Sequence, residues 1–341
     1  MTLLYFTGFD ATGWSTDATS DGWQSIGPLF TVSPGQYGFG QAISTYGTSV
    51  ATYPLSYSNS SSNLIFGFAI VKLNTEGFYI GFGNSVPTSY TNISGAWITF
   101  GSSLTQSTVS NGTYSSNNST TVNFPVSTTY TYVEFSLSLT TGSIQINVNG
   151  VSTGSLTLTT PITPTCFFIC NANGTYGSAY VDNLYILSND GSYPSSYLGR
   201  IQCSNAVPSS IGNTATFTSN TGSTTYSNLV DSPSDGDTTY NITNTPVAED
   251  TFNISGLSSS QIINTCTPLA IRVSNTSRNS HGTYSSITNI LHTSTDGLGQ
   301  DKNLSTNYST NSDIFTNDPA TGLAFGSGVI STLQIGYKRE S

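Results

Sequence analysis

Along most of this chain apolar side chains recur at every second position, the period of a strand. Ile144, Ile146 and Val148 alternate with Gln145 and Asn147, which sets three β-branched side chains on one face of extended backbone. Asn149-Gly150 follows at once. That dipeptide supplies the two positive φ values of a type I′ turn, so the run from 151 to 157 is expected to return as the partner strand. Further strands are expected over 3–9, 64–71, 78–82, 96–100, 130–139, 166–170 and 179–187. Between them, clusters of Gly, Pro, Asn and Ser such as 58–63 and 111–119 read as turns. Helix formers are scarce, and the best helical candidate is 258–265, where a Ser-rich start could cap a turn or two. The fold class is all-β.

A length of 341 residues corresponds to about two domains at roughly 150 residues each. The turn-rich stretch Ser188-Asn189-Asp190-Gly191-Ser192-Tyr193-Pro194 directly follows a strong strand and is the expected boundary, giving a first domain over 1–190 and a second over 191–341. Charge divides there too. Residues 1–190 hold one basic group, Lys72, against seven acids, and residues 191–341 hold six basic groups against ten acids. No internal repeat and no heptad pattern runs through either half.

Charged residues make up 7% of the chain and the net charge is −10. An ordinary soluble domain carries about 25% charged residues. Such a surface cannot neutralise phosphates and is repelled by anionic lipid, so neither nucleic acid nor membrane is an expected partner. The chain should still fold, because 35% of it is hydrophobic and 12% aromatic. Residues 1–8 read as a first strand and lack the basic start and apolar run of a secretory leader. The apolar stretch over 64–71 falls far short of the roughly 20 residues that span a bilayer. Cys166 and Cys170 sit four apart in one expected strand, about 13 Å at 3.3 Å per residue, too far to bridge. They read as buried thiols. Cys203 and Cys266 could meet, but four cysteines do not make a disulfide framework, and a reducing cytoplasm is the expected site of synthesis.

Candidate chemistry is sparse. The four glutamates, Glu76, Glu134, Glu249 and Glu340, have no acidic neighbour at the strand spacing that a glycosidase pair requires, and the adjacent Glu249 and Asp250 would point to opposite faces. His281 and His292 lack any zinc spacing, and no Gly-x-Ser-x-Gly elbow accompanies them. No catalytic residue and no cofactor is therefore expected. The densest acidic cluster, Asp231-Ser232-Pro233-Ser234-Asp235-Gly236-Asp237, offers Asp231, Asp235 and Asp237 as oxygen ligands for calcium. The competing reading is a solvated turn set by Asp and Pro. Trp97, Tyr79 and Tyr90, with Trp14 and Trp23, could stack on sugar rings, although aromatics in a β-sandwich mostly serve as core. Sheet edges are usually blunted by Lys and Pro, and only two lysines lie outside the C-terminal tail. Surfaces of hydroxyls and amides lose little side-chain entropy on contact, so an assembled protein is expected; the competing reading is that the Ser/Thr/Asn surface reflects the codon bias of an AT-rich genome.

The segment Tyr180-Val181-Asp182-Asn183-Leu184-Tyr185-Ile186-Leu187 resembles the closing strand of the laminin-G/concanavalin A-like jelly rolls of tailed-bacteriophage virion proteins, and the hairpin at Asn149-Gly150 fits the same domain. Tyr197-Leu198-Gly199-Arg200-Ile201, Asp237-Thr238-Thr239-Tyr240, Glu249-Asp250-Thr251-Phe252 and Asp318-Pro319-Ala320-Thr321-Gly322 then follow in the order of the second domain of those proteins. A tryptophan associated with the segment after the last motif is missing, and Phe325 stands near its place. The resemblance implies a concanavalin A-like jelly-roll sandwich followed by a smaller β-sandwich-like domain. It also implies a non-enzymatic virion protein assembled in the host cytoplasm: a capsid decoration or head-fibre component bound to copies of itself, as a homo-oligomer such as a trimer, and to the major capsid protein. The alternative is a tail or baseplate protein, bound to other tail proteins, that recognises a host-surface glycan. The second domain, richer in Arg and Lys, is the expected anchor on the shell or partner.

Overall fold

In this computed structural model the residues described are 2–9, 23–26, 29–32, 42–45, 49–58, 61–72, 77–100, 106–123, 129–157, 162–172, 179–189, 197–203, 206–222, 229, 236–255, 270–280 and 285–340. Among them secondary structure is strand, apart from two single-turn 3₁₀ segments at Tyr90–Asn92 and Val329–Ser331. No helix among them is long and apolar enough to cross a membrane. The candidate helix over 258–265 lies outside the described residues.

The chain divides into two compact units, Met1–Ser204 and Asn205–Ser341. The expected boundary segment lies at 188–194, of which 190–194 fall outside the described residues. Residues 197–203 remain with the first unit because three of their backbone N–H groups are bound to its sheet, as set out below.

The strands of the first unit are β1 (Thr2–Thr7), β2 (Gln24–Ile26), β3 (Leu29–Val32), β4 (Ala42–Thr45), β5 (Val50–Pro54), β6 (Asn63–Lys72), β7 (Phe78–Gly83), β8 (Ser94–Phe100), β9 (Gln106–Thr113), β10 (Ser116–Asn123), β11 (Thr131–Ser138), β12 (Ile144–Val148), β13 (Val151–Leu156), β14 (Cys166–Asn171) and β15 (Ala179–Ser188). They form two antiparallel sheets. One has eight strands in the order β13-β12-β11-β6-β15-β4-β3, with β1 also on β15, and the other has seven in the order β10-β9-β8-β7-β14-β5-β2. This is the two-sheet sandwich expected from strand periodicity. Its core is the set of alternate side chains that face inward from both sheets: Phe66 and Phe68 from β6, Ile80 and Phe82 from β7, Ile98 from β8, Val133 and Phe135 from β11, Phe167 and Ile169 from β14. Phe66 stacks on Phe135 at 4.7 Å and meets Phe82 and Phe167 edge-on at 5.1 and 5.0 Å, the offset and T-shaped geometries that aromatic quadrupoles favour.

The turn at Asn149-Gly150 has φ of 50° and 81°, as the type I′ reading requires, and joins β12 to β13. Two expectations changed. The Asn/Ser-rich stretch over 111–119, read as a turn, is mostly strand: β9 and β10 form a hairpin with only Tyr114 and Ser115 between them. Thr and Val at alternate positions suffice for a strand whose other face is solvated. The second unit is richer in strand than the apolar pattern indicated. Its main sheet orders β16 (Val207–Ala215), β19 (Glu249–Ser255), β25 (Gln334–Arg339), β21 (Ser286–His292) and β22 (Asp296–Leu298), with β23 (Lys302–Asn303) also on β21. A ribbon of β20 (Ile271–Ser277) and β24 (Ser309–Phe315) contributes Val273 and Phe315 to the core formed with Leu291, Phe325 and Leu333. Phe325, in the place of the absent tryptophan, is thus a core residue.

Candidate functional site

The three aromatic candidates come together on the outward face of the seven-stranded sheet. In β7 and β8 the inward positions are Phe78, Ile80, Phe82 and Ala96, Ile98, Phe100, so Tyr79 and Trp97 point away from the core by alternation. Phe168 and Cys170 of β14 join them, and Val50, Ile93 and Ala172 complete a second apolar cluster. The loop over 84–93 closes over this cluster. Asn92 fixes the loop: its carboxamide oxygen accepts from the backbone N–H of Thr88 and Ser89, and its amide donates to the Thr88 hydroxyl. Ile93, buried at its end, accepts a backbone bond from Tyr114 through its carbonyl. Trp97 is therefore 1% exposed and Tyr79 7%, and neither ring presents a face to solvent. Tyr90 stays half-buried, stacked on Tyr79 at 6.1 Å and edge-on to Tyr114 at 5.6 Å. Tyr114, missed in the sequence because its hairpin read as a turn, is thus the second partly open ring. Trp23 is a core residue whose indole N–H donates to the Tyr5 hydroxyl at 2.9 Å. Trp14 lies outside the described residues.

This aromatic corner cannot do acid–base work. Burial, reinforced by a hydrogen bond with Tyr114, holds the Tyr79 phenol far above its ordinary value of 10.0. Burial likewise pushes the Cys166 and Cys170 thiols up, to about 11 and about 12. Stacking against a flat apolar face is the chemistry it offers.

A different cluster sits on the outward face of the eight-stranded sheet, around β11, β15 and residues 197–203. Val181, Leu184 and Ile186 of β15 all face the core, which alternation alone forbids. A bulge between Asp182 and Tyr185 resolves this, with Asn183 at φ 50°. It turns Tyr185 outward across Gly67, where an added Cβ would lie 2.3 Å from the tyrosine ring. The Tyr185 hydroxyl donates to Oε1 of Glu134 at 2.5 Å and accepts from the N–H of Leu198 at 3.2 Å. The N–H of Gly199, a residue at φ 75°, donates to the same carboxylate oxygen at 2.7 Å. The N–H of Cys203 donates to Oδ1 of Asn183 at 2.7 Å. Residues 197–203 are thereby strapped onto the sheet by a buried acid, a tyrosine and a bulge. Glu134 is 1% exposed, and burial raises its carboxyl above its ordinary 4.5 while Tyr185 and Gly199 pull the other way. A single acid amid Tyr132, Val133 and Phe135 was the sequence signal for this cluster.

The acidic stretch is not assembled as a calcium site among the described residues. Asp231 and Asp235 lie outside them. Asp237 pairs with Arg278 at 2.5 Å and accepts from the Tyr308 hydroxyl at 2.8 Å, so its charge is already matched by a guanidinium, which itself lies over the Tyr308 ring at 5.0 Å. His292 has both ring nitrogens engaged. Nδ1 donates to Asp296 at 2.6 Å, and Nε2 accepts from the Asn213 amide at 2.8 Å. His281 lies outside the described residues.

No protein-family model matches the sequence, and no curated protein matches it either. The chain is similar to a protein of unknown function from Shewanella oneidensis MR-1, at 16% identity over 58% of this chain and 91% of that one, with a TM-score of 0.42. It is similar to a legume lectin-like domain from Entamoeba histolytica, at 13% identity over 56% and 99%, with a TM-score of 0.38. A carbohydrate-binding module from Bacillus subtilis gives 10% identity over 48% and 93%, with a TM-score of 0.34. At such identities and scores, what those proteins bind is no argument about this chain. The two-sheet sandwich and the smaller β domain after it stand on their own strand order and pairing.

Proposed function

We propose that the protein is a non-catalytic structural component of a tailed-bacteriophage virion, a capsid decoration or head-fibre protein assembled in the host cytoplasm as a homo-oligomer. What supports this reading is the use to which three of the phage-like motifs are put, as internal holds. Tyr185 and Gly199 lock the strap to Glu134. Asp250, fully buried, accepts from the N–H groups of Thr216 and Phe217 at 2.6 and 2.9 Å, and Thr251 accepts from Thr214. Asp318 accepts from Thr293, Ala320 and Thr321. Residues engaged in holding connecting segments suit a protein that works by its surface.

A second reading is a tail or baseplate glycan-binding protein. The half-open Tyr90 and Tyr114 rings favour it. Antibody against the full chain, applied to virions and viewed by negative-stain microscopy, separates the two when paired with a glycan array probed by the purified protein. Label over the head with no array signal is the expected result. Label on the tail tip together with a glycan hit that weakens in Tyr90→Ala would overturn the decoration reading.

A further inference from the structure

Between Glu76 and Asp182 the sole charged residue is Glu134, and it is buried under the strap. The exposed surface built from β7 to β14 therefore carries no ionised Asp, Glu, Lys or Arg. Among the described residues this uncharged region ends, at one side of the sandwich, in two ladders with no further strand paired to them. β10 is the last strand of its sheet and β13 the last of the other. The two edges lie one above the other, since a Cβ added to Gly154 of β13 would come within 2.9 Å of Val122 of β10. Neither strand contains a charge or a proline, the devices that usually blunt an edge. Seven of the eight β10 residues are exposed or half-exposed.

We infer that β10 is a self-pairing edge, through which a second copy of this chain extends the seven-stranded sheet about a two-fold axis. The register follows from the hairpin. Thr113 and Ser116 flank a two-residue turn and so form its hydrogen-bonded closing pair, which leaves Asn117, Ser119, Thr121 and Asn123 with N–H and C=O groups directed outward. Side chains of paired residues must share a face, so a two-fold axis has to pass through a residue. Centred on Ser119, Asn117 pairs with Thr121 of the second copy and Asn118 with Thr120, each a hydroxyl–amide match. The second copy is the fitting occupant for two reasons. Two chains of net charge −10 approach best where ionised groups are missing. A second copy also brings a β13 edge beside its β10, so both layers meet like layers. An isologous contact of this kind closes as a pair, so the surface makes two-fold pairs and does not by itself build a trimer. The inference concerns self-association and does not depend on the proposed place in a virion.

Sedimentation velocity of the full chain should show a concentration-dependent dimer. Ser119→Cys, with the two Cα atoms about 5.5 Å apart across the axis, falls within the roughly 4.4–6.8 Å that a cystine spans. It should yield a disulfide-linked dimer under an oxidant that leaves the wild type uncrosslinked. Ser119→Lys sets two ammonium groups against each other and should weaken the dimer about tenfold or more. Mixing Ser119→Lys with Ser119→Asp should restore a mixed pair, which shows that both variants are folded. A wild type that stays monomeric, a Ser119→Lys dimer as tight as wild type, or failure of the mixed pair would overturn the inference. So would a monomer whose Ser119→Lys form is lost from particles, since that would give the edge to another protein while leaving the virion reading intact.

Discussion

Replacing Tyr185 with Phe tests whether the strap over 197–203 is held by the Glu134 cluster. The ring and its packing remain, and one hydroxyl is lost that both donates to Glu134 and accepts from the N–H of Leu198. A hydrogen bond to an ionised acceptor contributes about 1.5–3 kcal/mol and a neutral one about 0.5–1.5 kcal/mol, so the loss should total roughly 2–4 kcal/mol. For a unit of this size each kcal/mol moves the melting temperature by about 2–4 °C, giving a drop of roughly 4–16 °C. The pH dependence carries a sign. A carboxyl raised on folding, as Glu134 is by burial, holds its proton more tightly in the folded state. Its contribution favours folding most below the unfolded value and fades as pH climbs through the folded one. The ionised form depends more on the Tyr185 donor than the protonated form does, so the penalty should be larger at neutral pH than near about pH 4. Urea unfolding at both pH values, followed by tryptophan fluorescence, gives the difference, and hydrogen exchange at Leu198 and Gly199 reports the strap itself. A loss below about 0.5 kcal/mol, or an equal loss at both pH values with unchanged exchange, would show that the strap is held by something else.

Gly81→Ala and Gly150→Ala separate space from conformation. The first puts a Cβ 2.3 Å from the Ala96 carbonyl oxygen, within rigid neighbouring backbone, and should cost the first unit about 3 kcal/mol or more. The second meets nothing within 4 Å but sits at φ 81°, and should cost about 1 kcal/mol by thermal denaturation. Val247→Asn should stabilise the second unit by about 1 kcal/mol, because an exposed β-branched residue at φ 54° gives way to one that tolerates the left-handed region. Burial lifts the Cys166 and Cys170 thiols to about 11 and about 12, so peptide mapping after iodoacetamide at about pH 8 should find both unmodified until the protein is unfolded. Rapid labelling of either in the native protein would contradict their burial. Since both values rise on folding, their contribution to stability should decline as pH climbs above the unfolded thiol range.

What was legible in the sequence tracks where the core is apolar. β6, β7, β11, β14 and the bulged β15 are rich in apolar residues and fall within a residue or two of expectation, because one face of each feeds the aromatic core. The second unit hides its strands by burying polar side chains. Asn289, 1% exposed, receives the Asn275 amide and donates to Asp313 at 2.8 Å, so an inward position reads as a loop residue. Thr251 and Asp250 do the same in β19. The aromatic site was legible only as two alternatives, sugar stacking or core packing; Trp97 and Tyr79 are buried under loop 84–93, and no period in the sequence announces a loop that folds back on a sheet.

The scarcity of charge acquires a structural meaning once the acids are placed. Glu134 and Asp250 are both buried, and each gathers backbone N–H groups from a segment that runs outside the main ladders: Gly199 for the first, Thr216 and Phe217 for the second. A carboxylate is the strongest acceptor the side chains offer for such groups, and its desolvation cost is tolerable only where several donors converge. These two acids thus fasten connecting segments, while the outer strands β10 and β13 carry hydroxyls, amides and no charged side chain. A molecule that needed only solubility would distribute its charge the other way round, with acids and lysines on the edges. Under the self-pairing inference, these uncharged edges are the ones a second copy would cover.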